Sequence, residues 1–79
     1  MLNERQITDA AENAGLEIAF IFEKDDKYEI YFSNRSYNIE ITKSGRASKF
    51  TPLCGCTVFN PLPNVTDEAS VVSMMLASK

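Results

Sequence analysis

Two thiols one residue apart, Cys54-Gly55-Cys56, are the side chains best suited to covalent chemistry in this chain. Such a pair can close a strained, reducible disulfide or supply half of a metal site. A tetrahedral zinc site takes about four nitrogen or sulfur ligands. With 2 cysteines and 0 histidines, one copy cannot complete that set, whereas a symmetric pair of copies offers twice as many thiolates. A redox thiol also needs a positive neighbour or a helix N-terminus to lower its pKa, and Leu53, Thr57 and Val58 beside it are uncharged. Two idle reduced cysteines account for the motif without further demands.

Carboxylates are the next candidates. Paired Asp or Glu side chains can share a proton and act as acid and base. Strand alternation brings Glu29 and Glu40 opposite each other, on a face where water keeps both ionised and Lys49 is expected beside Glu40. With no histidine, a nucleophilic serine or cysteine has only carboxylates or lysines as a base. Gly15, Gly45 and Gly55 stand alone, so no phosphate-cradling loop is present.

The elements that must position these groups centre on residues 16–52. Leu16–Phe22, Tyr28–Ser33 and Tyr37–Thr42 each alternate apolar and polar, the period of a half-buried strand. The expected inward sets are Leu16, Ile18, Phe20 and Phe22; Tyr28, Ile30 and Phe32; and Tyr37, Ile39 and Ile41. Loop length then sets register. A three-residue turn, Lys24-Asp25-Asp26 with Asp26 left-handed, places Phe22 opposite Tyr28, Phe20 opposite Ile30 and Ile18 opposite Phe32. A two-residue primed turn, Asn34-Arg35, places Ile30 opposite Ile39 and Tyr28 opposite Ile41. Ser44-Gly45 leads to a fourth, edge strand over Arg46–Thr51, closed by Pro52, with Ile41 against Ser48 and Ile39 against Phe50. The outer face then carries Ile21, Glu29, Glu40 and Lys49 in one row and Ala19, Tyr31, Asn38 and Thr51 in the next.

A helix is expected over Asn3–Ala14, capped by Asn3 with Gln6 reaching back and ended by Gly15. Its inward face is Ile7, Ala10, Ala11 and Ala14. A second helix begins at Thr66 as cap and carries the broad apolar stripe Ala69, Val71, Val72, Met74, Met75 and Leu76. Leu53–Val65 reads as a long apolar loop, with a short extended piece at Thr57-Val58-Phe59, that either covers one end of the core or serves recognition. The fold class is α+β: helix, four-stranded antiparallel meander, helix, with both helices on one face, as a single domain over residues 1–79.

A chain of 79 residues holds one core and leaves little space for a water-excluded cavity, which argues against catalysis. The net charge of −3 disfavours non-specific nucleic-acid binding. Arg35, Lys43, Arg46 and Lys49 nevertheless form a local basic run that can contact phosphate. No signal peptide or membrane span is legible, which points to the cytoplasm.

The order helix, strands, helix resembles double-stranded-RNA-binding domains, whose last helix starts with a phosphate-gripping lysine cluster. The corresponding Thr66-Asp67-Glu68-Ala69-Ser70 is acidic, so the resemblance counts against RNA binding. In size and mild acidity the chain is similar to small phage-encoded inhibitors, including anti-CRISPR proteins.

The expectation is a non-enzymatic protein-binding module, an inhibitor or regulator, without cofactor or metal. Its partner is another protein, and the chain is a monomer or homodimer. The contact residues expected are Ile21, Glu29, Tyr31, Asn38 and Glu40 on the outer sheet face, with Val58 and Phe59 on the loop. The alternatives are a nucleic-acid-binding module using the basic run and a thiol redox or metal protein using Cys54 and Cys56.

Overall fold

The structure is a computed structural model that describes residues 2–79, so Met1 lies outside the described residues. The order of elements is α1 (Glu4–Ala14), β1 (Ile18–Glu23), β2 (Lys27–Phe32), β3 (Asn38–Thr42), β4 (Ala47–Leu53), β5 (Cys56–Leu62) and α2 (Glu68–Ser78). The strands form one antiparallel sheet in sequence order, an α+β fold with five strands where the sequence suggests four.

Helix α1 forms where its local signals are strongest. Asn3 Oδ1 accepts from the Gln6 amide at 2.9 Å, and Gln6 Oε1 accepts from the Asn3 amide at 3.0 Å, closing a capping box. Gly15 ends the helix in the left-handed region at φ 79, and the Leu16 amide donates back to Ala11 O. In α2 the cap is Asp67 rather than Thr66: Asp67 Oδ1 accepts from the Ser70 amide at 2.9 Å, and the Asp67 amide donates to Ser70 Oγ. Both residue types cap well, and the acidic one also meets the positive end of the helix.

The β2–β3 register follows the alternation, with Tyr28 opposite Ile41 and Ile30 opposite Ile39. Its turn does not use primed geometry, since Cys54 is the only non-glycine with positive φ among the described residues. Asn34 instead turns its side chain to accept from the Glu17 amide.

The first hairpin departs from expectation. The Lys24 amide donates to Lys27 O at 2.8 Å, so the turn is the two-residue Asp25-Asp26, and Asp26 is not left-handed. One residue fewer inverts the pairing: Ile21 faces Ile30, Phe22 faces Glu29 and Phe20 faces Tyr31. Phe20 and Phe22 therefore move to the outer face, and Ile21 moves inward against the core. A bulge between Ile18 and Phe20 restores Ile18 opposite Phe32.

The β3–β4 turn differs in the opposite sense. Thr42 and Arg46 close a three-residue turn over Lys43-Ser44-Gly45, so Ile41 faces Ala47, Ile39 faces Lys49 and Glu40 faces Ser48. Lys49 and Thr51 thus belong to the inner side, and Phe50 to the outer. Strand β4 is interior, because the segment expected as a loop continues as β5, with Phe50 opposite Phe59 and Leu53 opposite Cys56. The joining turn is Cys54-Gly55, both with positive φ, 52 and 83, the signature of a primed two-residue hairpin. Counting back from it, the alternation of paired amides points the Pro61 nitrogen at the open edge and the Pro52 nitrogen past the end of β3.

One core unites Ile7, Ala10, Ala11 and Ala14 of α1, Val71, Met74 and Met75 of α2, and Tyr28, Ile30, Phe32, Ile39, Ile41 and Ala47 of the sheet. The alanine face of α1 lets it lie close against α2.

Candidate functional site

The register of the sheet writes one continuous row across all five strands: Phe20, Tyr31, Asn38, Phe50, Phe59, each opposite the next. Phe22 lies beside it, 6.0 Å from Phe20 and edge-on to Tyr31 at 5.8 Å between ring centres. Phe50 and Phe59 meet at 5.3 Å. Five of the 8 aromatic residues in the chain therefore sit on the side of the sheet that carries none of the buried core. Phe20 is 62% exposed, Phe59 55%, Phe22 50% and Tyr31 38%. A cluster this apolar on a single face is the kind of surface that marks an interaction site, unlike single scattered apolar residues.

Next to the row stand Glu29 and Glu40, opposite each other. Lys27, and not Lys49, neutralises them: its Nζ donates to Glu40 Oε1 at 2.8 Å and lies 3.6 Å from Glu29 Oε2. Lys24 adds a looser contact to Glu29 at 3.9 Å. The hydrogen bond to Glu40, with the charge of both carboxylates, holds the Lys27 ammonium above the ordinary lysine range, against the effect of burial. With Lys27 bonded between them, Glu29 and Glu40 form a charged rim to the aromatic row.

At the other side of the row, a half-open hollow of about 340 Å³ lies between the β2–β3 turn and β4–β5. Tyr31, Arg35, Asn38, Pro52 and Thr57 are among the residues that line it, and the Arg35 guanidinium donates to the Asn34 carbonyl at 2.7 Å.

Of the contact residues named from sequence, Tyr31, Asn38, Glu29, Glu40 and Phe59 come together on this face. Ile21 does not, being packed toward the core. Val58 pairs with Thr51 and takes the other side of the β4–β5 hairpin. Sequence reasoning missed Phe20, Phe22 and Phe50. The available signal was the uninterrupted apolar run Ile18–Phe22, which allows either parity and so leaves the first hairpin undetermined.

The basic run disperses. Lys49 Nζ donates to the Ser78 carbonyl at 2.8 Å, closing the negative end of α2, and sits 4.7 Å from the centre of the Tyr37 ring. Lys43 donates to Glu23 at 2.8 Å. Arg35 lies in the β2–β3 turn, at the opposite end of β3 from Lys43 and Arg46. These four cations do not form a continuous phosphate track.

Cys54 and Cys56 are both free and exposed at the hairpin tip. No group of three or more metal-ligating side chains occurs among the described residues. No helix among them is long and apolar enough to cross a membrane. Compared with protein-family models, curated proteins and solved structures, the chain matches none.

Proposed function

We propose that this protein is a non-enzymatic docking module that binds another protein through the outer face of its sheet. The observation that carries this reading is the aromatic row Phe20–Tyr31–Asn38–Phe50–Phe59, exposed at Phe20, Tyr31 and Phe59 and half-buried at Asn38 and Phe50, with its charged rim. We read both helices as covering one side of the sheet, which leaves the other for a partner. Large rigid rings at the centre with charges at the margin reproduce the composition of interface cores and rims. Binding without chemistry suits an inhibitor or regulator, which acts by occupying a surface.

Tyr31 lies within the row and is only partly exposed, so it is the anchor of this reading. Tyr31→Ala is expected to weaken partner capture at least tenfold while leaving the unfolding midpoint within about 1 kcal/mol of wild type. The check is quantitative recovery from cell extract on wild-type and Tyr31→Ala baits, with urea denaturation of both. Equal recovery by the two baits overturns the proposal.

A further inference from the structure

Independently of the docking reading, we propose that Cys54 and Cys56, at the tip of the β4–β5 hairpin, hold one soft monovalent metal ion, Cu(I), between their two sulfurs. Free cysteine is among the most buried of residue types, yet both thiols here are free and exposed. Cys54 holds φ 52, in the left-handed region that hairpin turns ordinarily give to Gly, Asn or Asp. A cysteine there carries a backbone cost that those residues largely avoid, and such costs gather where a side chain is used. The hairpin also fixes the stems of both thiols: Cys56 pairs with Leu53, and Cys54 is the first residue of the turn between them.

The turn decides what the two sulfurs can do. Across Gly55, whose φ is 83, primed-turn backbone angles hold the two Cα atoms about 5.4 Å apart and the two Cβ atoms about 5.5 Å apart. A disulfide requires Cβ atoms about 3.5–4.5 Å apart, so closing one would distort the turn. An ion between the sulfurs needs no such distortion. Two metal–sulfur bonds of roughly 2.2 Å in line span about 4.4 Å. Rotation about the two Cα–Cβ bonds covers the rest. A Cβ on Gly55 would meet nothing within 4 Å, so the space over the turn is open to an arriving ion.

The ligand set then selects the metal. No charged residue lies between Lys49 and Asp67 in the chain. Among the described residues no third metal-ligating side chain joins the pair. Zinc takes about four ligands, and calcium and magnesium take oxygen, so this pair serves none of them. Thiolates select Cu(I) among the first-row metals, and a closed-shell ion of single charge accepts two ligands in line. Both thiols lose their protons on binding, and the ion is neither oxidised nor reduced. The bound unit carries one negative charge, and no carboxylate of the arm stands beside it to repel it.

Anaerobic competition for Cu(I) against a chromogenic Cu(I) chelator tests the site on the full chain. Wild type is expected to take one Cu(I) per chain. Cys54→Ser and Cys56→Ser are each expected to lose affinity at least about a hundredfold, since either removes one of only two ligands. Far-ultraviolet circular dichroism shows whether both variants keep the fold of wild type. Copper X-ray absorption of the loaded protein is expected to show two sulfur neighbours and no third. Affinity that survives either substitution in a folded variant overturns the inference. One ion for every two chains, or a shell of three or more sulfurs, overturns it as well, because the ion would then be shared between copies.

Discussion

Two residues concentrate strain and waste, and each makes a sharp prediction. Gly45 has φ 101, donates to Thr42 O at 2.9 Å and accepts from the Val65 amide at 2.7 Å. A Cβ there would collide with the Val65 carbonyl oxygen and would hold an unfavourable φ as well. Gly45→Ala is therefore expected to lose at least about 2 kcal/mol, read as a lower urea midpoint. Thr51 is the reverse case. Its Oγ1 is buried without a hydrogen-bond partner, so the hydroxyl loses water and receives nothing in exchange. Thr51→Val keeps the shape, suits a strand and removes the stranded group. It is expected to raise stability by about 1 kcal/mol in the same assay. A lower midpoint for the valine variant would show that the hydroxyl is satisfied.

At the level of the element, the cap of α2 predicts a pH dependence. The backbone hydrogen bond from Ser70, with the Ser70 hydroxyl, lowers the Asp67 pKa below its ordinary value. A carboxyl depressed in the folded state contributes stability that is complete above the ordinary carboxylate range, near pH 4. That contribution is lost as pH falls through the lowered folded value. Wild type is thus expected to unfold at higher urea than Asp67→Ala at pH 7, and the gap is expected to narrow below about pH 4. A gap that stays constant with pH would assign the effect to something other than the carboxylate. The elements also differ in how far sequence reveals them. Helix α1 is legible because Asn3, Gln6 and Gly15 act within a few residues of one another. The β2–β3 register is legible because Tyr28, Ile30, Ile39 and Ile41 alternate cleanly with polar residues. Strand β1 is not, because Ile18, Ala19, Phe20, Ile21 and Phe22 are apolar at every step, so only the turn length and the bulge decide which way they point. Strand β5 hides behind Gly55, Pro61 and Pro63, which read as loop until the two positive φ values at Cys54-Gly55 and the edge position of Pro61 are seen.

Across the whole molecule, stability is unevenly distributed. Strand β3 lies at the centre of the sheet, with Ile39 and Ile41 fully buried. The β4–β5 hairpin runs on beyond it, since β3 pairs with residues only as far as Phe50 whereas β5 pairs to Leu53. Residues from Pro52 to Asn60 are exposed along this arm. Local opening follows buried contact, so the Ile39 and Ile41 amides are expected to exchange with solvent only on global unfolding. The Cys56 amide at the arm's end is expected to exchange orders of magnitude faster. Hydrogen–deuterium exchange followed by NMR separates the two groups, and equal protection would mean that the arm is held by contacts beyond its own ladder. The candidate face emerges only at this scale: the row needs four registers at once, and sequence alone gives the wrong length for the first and third hairpin turns and no hairpin for the fourth.

The arm's tip also supplies a built-in ruler. Its two thiols are the only ones in the chain, one residue apart and open to reagents. A paramagnetic tag anchored to both sulfurs would be rigid and would need no engineered attachment point. At about 3.3 Å per residue the two thiols stand roughly 10 to 13 Å from the aromatic row. A tag there would therefore broaden the resonances of any partner seated on that face, a readout that needs no label on the partner.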